Sequence, residues 1–185
     1  MFKCVASIIV ASSILLSSPI PNSIYNIDIP YIYVVANTLK NPTEKELQIA
    51  KDKYLQEKEV RCLAENMYFE ARGEPLEGQV AVGAVTLNRA KKKYTAKTVC
   101  DVVNFKVKNR CAFSWTCDHK EDVIRDKKAF TELHKIAYNM YRQFKSGKQY
   151  DQTDGALYFH ASYVEPEWME AKVRLTKIGE HIFYR

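Results

Sequence analysis

No segment of this 185-residue sequence comfortably supplies the about 20 consecutive apolar residues that a membrane-spanning helix needs. Glycine and proline are scarce, at six residues each, and follow no collagen-like period. A content of 46% hydrophobic and 12% aromatic residues sets the chain apart from disordered polar sequences. There is no internal repeat and no separate repeat domain. The histidines His119, His134, His160 and His181 lack the paired spacing of metal ligands, so neither a metal nor a cofactor is expected. Against about 100 to 200 residues per domain, the length fits one domain with terminal extras and disfavours tandem catalytic domains.

What the sequence does have is an uneven excess of positive charge. Its 28 Lys and Arg against 22 Asp and Glu give +6. Residues 1–36 hold one base and one acid, and residues 37–57 hold four of each, so the whole excess lies in 58–185. That segment suits a polyanionic partner, and charge leaves nucleic acid, anionic membrane and bacterial wall polymer as candidates.

The N-terminus carries Lys3 and then no charge until Asp28, with a weakly apolar run from Val5 to Leu16. This is the layout of a secretory leader, and counted on to Ile20 the run also fits a weak signal anchor. Residues 1–36 are therefore expected to be a leader or anchor plus tether, 37–57 a helical lead-in, and 58–185 the working domain. Export to the periplasm or wall follows, with membrane contact only through the N-terminal segment. Beyond Cys4, which precedes the apolar run, four cysteines remain, an even number in an oxidising compartment. Cys111 and Cys117 enclose a five-residue aromatic loop and are paired, as are Cys62 and Cys100. Zinc is the rival reading, but C-x5-C is not the usual finger spacing.

Thr43 followed by Glu46 forms a capping-box pattern. A helix should follow with Leu47, Ala50, Tyr54, Leu63 and Met67 on its buried side, interrupted near Glu57 and ending around Ala71 to Gly73, with Gly73 as its cap. A second helix should run from Pro75 to Ala90, with Val80, Ala81, Ala84, Val85 and Leu87 as its stripe. Residues 91–122 read as irregular, disulfide-pinned structure. A third helix is expected over Asp126 to Phe144, stopping at Ser146-Gly147. Residues 156–160, 173–178 and 181–184 read as short strands. Helices first and a small antiparallel sheet last make an α+β domain.

The densest chemical signal is Tyr68-Phe69-Glu70-Ala71-Arg72-Gly73-Glu74-Pro75, where a helix-helix corner presents two carboxylates and an arginine. A carboxyl half-buried at such a corner stays protonated and serves as a general acid. A solvated corner with Glu74 capping a helix is the other reading. The run from Cys62 to Ala90, followed by Cys111-Ala-Phe-Ser-Trp-Thr-Cys-Asp-His119, Gly155 to Trp168 and Ile178 to Arg185, resembles the SleB-type cell-wall hydrolases. The resemblance covers about residues 60 to 185, with the motifs in the family's order. It implies a compact, lysozyme-like lytic transglycosylase domain that acts as a monomer on peptidoglycan glycan strands rather than on nucleic acid. It implies Glu70 as the catalytic glutamate.

A lytic transglycosylase needs one carboxyl, because the muramic acid C6 hydroxyl is the nucleophile; ordinary glycosidases need two carboxyls. The resemblance further places Ser114, Trp115, Tyr158 and His160 around the cleft, although for Trp115 and Tyr158 a place in the core is an equal alternative; Arg72 and Glu74, at the corner, are further candidates for binding substrate. Trp168 and residues 178–185 are assigned to packing and chain closure. A muramidase that admits water through Glu74 or Asp118, and a wall-binding module without catalysis, are the competing functions.

Overall fold

The computed structural model describes residues 42–92, 98–108 and 110–185. The expected leader and tether lie outside the described residues, as do the first residues of the lead-in.

Helix α1 spans Glu44–Ala71 and is started by both bonds of the Thr43/Glu46 capping box. The expected interruption near Glu57 does not occur. The segment contains no glycine or proline, its charged residues at this point face outward, and Glu57 is tied to His134 Nε2 at 2.8 Å on the last helix. Lead-in and domain therefore share one helix. The expected glycine cap is also corrected: α1 ends on Arg72 in the right-handed region, with its N–H on Tyr68 O, and Gly73 has no positive φ. A tight turn closed by the Glu74 N–H on Ala71 O at 2.9 Å makes the corner instead, which swings Glu74 back toward the domain.

Helix α2 spans Leu76–Lys92, and its small residues bring it close to its neighbours. A Cβ added at Gly83 would lie 2.9 Å from Met140 Cε and 3.0 Å from Met67 Sδ. The stretch expected to be irregular holds short α3 (Val99–Val103), with its own Thr98/Asp101 capping box, a two-residue hairpin of β1 (Lys106–Val107) and β2 (Arg110–Cys111), and a 3-10 turn over Ser114–Cys117. Disulfides join Cys62 to Cys100 and Cys111 to Cys117, with Cα separations of 5.2 and 6.3 Å. Helix α4 spans Lys127–Lys145 and is capped at its start by the Asp126 side chain. It ends in a left-handed Gly147 (φ 73), with the Lys148 N–H on Gln143 O.

The chain closes with a three-stranded antiparallel sheet of β3 (Tyr158–Ala161), β4 (Arg174–Ile178) and β5 (His181–Tyr184), in the order β3-β5-β4. Tyr158 faces Tyr184 and Ile178 faces His181 in its register. The main core joins Leu63, Met67 and Tyr68 of α1 to Leu87, Val103, Phe113 and Leu133. A smaller core of Ala81, Val85, Ala156 and Phe183 seats the sheet on α2. The domain is α+β, helices first and sheet last.

Candidate active site

Glu70 sits in the last turn of α1, one residue from the corner. Burial pushes its carboxyl up to about 7, opposed by the positive charge of Arg89. Among the described residues no hydrogen bond reaches this carboxyl. The ionised form has the Arg89 charge to lean on.

That neighbour continues the buried stripe of α2. Ala81, Val85 and Arg89 follow at steps of four and share one helix face. Arg89 Nε donates to Leu157 O at 2.7 Å and Nη1 to Ala112 O at 3.2 Å. Its guanidinium lies 4.8 Å from the Phe113 ring centre and 5.9 Å from that of Tyr158. The adjacent Asn88 fastens the same helix to the approach of β3, giving its amide to Asp151 Oδ2 at 2.8 Å and to Ala156 O at 3.1 Å. Asp151 also gathers the Thr153 and Gly155 N–H groups, and those hydrogen bonds hold its pKa down against burial. The segment that delivers Tyr158 is thus clamped to α2 just beside the acid.

An open groove of about 1020 Å³ runs between the Cys111–Cys117 loop, the start of β3 and the segment around Trp168. Ser114 and Tyr158 line it, as does Trp168, which also packs on Tyr158, His160 and Tyr184 with centroids 5.6 to 5.7 Å apart. Arg89 is in the groove wall; Glu70 does not line the groove but feels the charge of Arg89. Tyr158 also carries Lys172 Nζ at 4.2 Å over its ring, so that face holds a cation.

The other residues named from the sequence are engaged within the protein. Trp115 stacks on Phe69 with centroids 4.5 Å apart and donates from Nε1 to Asn66 Oδ1 at 2.9 Å. His160 is buried, with Nδ1 2.9 Å from Ala161 O and Nε2 2.9 Å from the Tyr184 hydroxyl. The carbonyl can only accept, so the Nδ1–H tautomer fits, with the Tyr184 hydroxyl donating to Nε2. Arg72 is exposed and lies 5.0 Å over the Tyr68 ring. Glu74 accepts from the Glu180 N–H at 2.8 Å through Oε2, and Nδ1 of His181, buried without a hydrogen-bond partner, lies 4.0 Å from the same oxygen. Glu74 therefore fastens the corner to the β4-β5 turn. Among the described residues no group of three or more His, Cys, Asp or Glu is placed to hold a metal ion.

Sequence reasoning missed Arg89, Asn88 and Lys172. The signal for Arg89 was available, since a guanidinium that continues an apolar helical stripe must be buried and must therefore have work to do.

A family model described as Cell Wall Hydrolase matches residues 73–184, beginning three residues after Glu70. The spore cortex-lytic enzyme of Bacillus subtilis (strain 168) is 30% identical over 126 residues, which are 68% of this chain and 37% of that protein. The spore cortex-lytic enzyme of Oceanobacillus iheyensis is 32% identical over 126 residues, again 68% of this chain and 41% of the relative. This chain thus spans well under half the length of these curated relatives. Among solved structures, the catalytic domain of the Bacillus cereus SleB protein superposes with a TM-score of 0.51 at 30% identity, covering 69% of this chain and 89% of that one.

Proposed function

Because the chain belongs to the cell wall hydrolase family, we propose that it cleaves the glycan strands of peptidoglycan as a lytic transglycosylase, with Glu70 as acid and then base. The observation that supports this most is a lone buried carboxyl, raised to about 7 and with no hydrogen-bonded partner among the described residues. The protonated Glu70 gives its proton to the oxygen between N-acetylmuramic acid and N-acetylglucosamine as the bond to the muramic C1 breaks. The resulting carboxylate, facing the Arg89 charge, takes the proton of the muramic C6 hydroxyl while that oxygen bonds to C1. The ring closes as a 1,6-anhydro sugar, Glu70 returns to its starting state and no water is consumed.

Retaining and inverting glycosidases need a second carboxyl at a set distance. Glu74 is taken by the Glu180 N–H, which leaves Asp118, on the groove and kept low in pKa by the Lys120 N–H, as the carboxylate that a hydrolytic route would use. Ser114 and Tyr158 touch the sugar; Trp115 and His160 stiffen the walls behind it; Arg72 and Glu74 brace the corner. The enzyme works as an exported monomer at the wall, without metal, cofactor or nucleic acid. Mass analysis of muropeptides released from purified wall tests the reading. Anhydro-muramic ends are expected, and exclusively reducing, hydrated ends would turn it into a muramidase with Asp118 as the second carboxylate. Sedimentation with sacculi without any loss of turbidity would make the domain a wall-binding module.

A further inference from the structure

The groove is lopsided in charge. Arg89, Lys92, Arg110 and Lys172 line it, against one acid, Asp118. Among the described residues none of these four cations has a carboxylate within 4.0 Å, whereas Asp118 already has Lys120 Nζ at 3.5 Å. Arg89 is the most telling. A guanidinium has five N–H donors, and here one from Nε and one from Nη1 go to uncharged carbonyls. The residue lines the groove. A largely desolvated cation without a counter-anion is costly, and Glu70, the carboxyl it senses, is protonated for much of the time at neutral pH. Lys172 is steadied over the Tyr158 ring on the same wall.

We infer that this groove reads negative charge as well as sugar: Arg89, with Lys172 and Arg110 beside it, binds the free carboxylates of the peptide stem that hangs from the lactyl group of N-acetylmuramic acid. The inference rests on the glycan-cleaving reading of the site and names which strands it selects. Guanidinium and carboxylate match in a two-pronged hydrogen bond, and a groove shielded from bulk water makes that pairing stronger than on an open surface.

The test uses three soluble, uncross-linked strands: one with intact stems, one with the stem carboxylates converted to amides, and one stripped of stems by an amidase so that the lactyl carboxylate is free. Binding is measured on Glu70→Gln and kcat/KM on the otherwise unaltered chain. Intact stems should bind and react at least about tenfold better than the other two, with the advantage shrinking as salt is raised. Arg89 also ties Ala112 to Leu157, so the surface pair tests the charge without touching that brace. In Lys172→Gln/Arg110→Gln the advantage of intact over amidated stems should fall below about threefold. Equal binding of all three strands overturns the inference. Preference for the stripped strand overturns the stem assignment in favour of the lactyl group. A preserved binding preference with no cleavage of any strand rejects the cleavage reading and leaves the anion site standing.

Discussion

Replacing Glu70 by Gln should make the protein more stable at alkaline pH while abolishing its chemistry. The carboxyl is raised from 4.5 to about 7 in the folded state, so between those values the native chain binds more protons than the unfolded one and stability falls as pH rises. Each pKa unit is worth about 1.4 kcal/mol, so a shift of about 2.5 units makes the ionised carboxylate cost roughly 3 kcal/mol above pH 7 and nothing at pH 4. Gln has the same shape and never ionises, so it escapes this cost. Urea unfolding of both proteins from pH 4 to 9, read as the difference between the two stability curves, removes every group they share. The difference should be near zero at pH 4, grow in favour of Gln through pH 5 to 7 and level off. Activity should fall by at least about 10² to 10⁴. Parallel curves would show that Glu70 titrates as an ordinary exposed acid, and near-normal turnover would move the proton to another group.

The same raised value sets the rate profile: kcat/KM should fall about tenfold per pH unit above about pH 7, and an unchanged rate at pH 9 would rule out Glu70 as the acid. Glu74→Gln should lose about 1 to 2 kcal/mol of stability by weakening the charge-assisted bond to the Glu180 N–H, with kcat within about threefold of the original; complete loss of turnover with normal folding would contradict this. Gly73→Ala should stabilise the fold by about 0.4 to 1 kcal/mol, read as a slightly higher melting temperature, because an added Cβ meets nothing within 4 Å and the backbone is not left-handed. Breaking Cys62–Cys100, with a separation of 38 residues, should cost roughly 4 kcal/mol by chain entropy, against about 2 to 3 for Cys111–Cys117 with a separation of 6. Denaturation of the two double-Ser variants checks the order.

What the sequence reveals follows the range of the interaction. The Thr43 cap, the apolar stripe of α2 and the stop at Gly147 are local signals, and each is where it was read. The break at Glu57 was misread because the residue that fastens that turn, His134, is 77 positions away. Gly73 was taken for a left-handed cap on identity alone, whereas the corner is shaped by what Glu74 reaches, a backbone N–H 106 residues on. The order of motifs singles out Glu70 as the candidate acid. The hold on its electrostatic neighbour Arg89 is long-range, since the carbonyls that take its two hydrogen bonds, Leu157 and Ala112, lie 68 and 23 residues on. Trp115 illustrates the ambiguity of aromatics: its loop was found, but which way the indole faces depends on Phe69 and Asn66.

The place of β5 in the middle of its sheet sets an order of assembly. Residues 181–184 follow every other element in the sequence, yet they supply the partner for both β3 and β4. The helices do not depend on that strand: α1 packs on α4 through Leu63, Met67 and Leu133 and through the Glu57–His134 pair, all made of residues that precede it. The groove wall bearing Tyr158 and the tie from Glu74 to Glu180 must wait for the closing strand. A chain halted before residue 181 lacks the middle strand of the sheet, so β3, and with it the Tyr158 wall of the groove, has no strand to pair with.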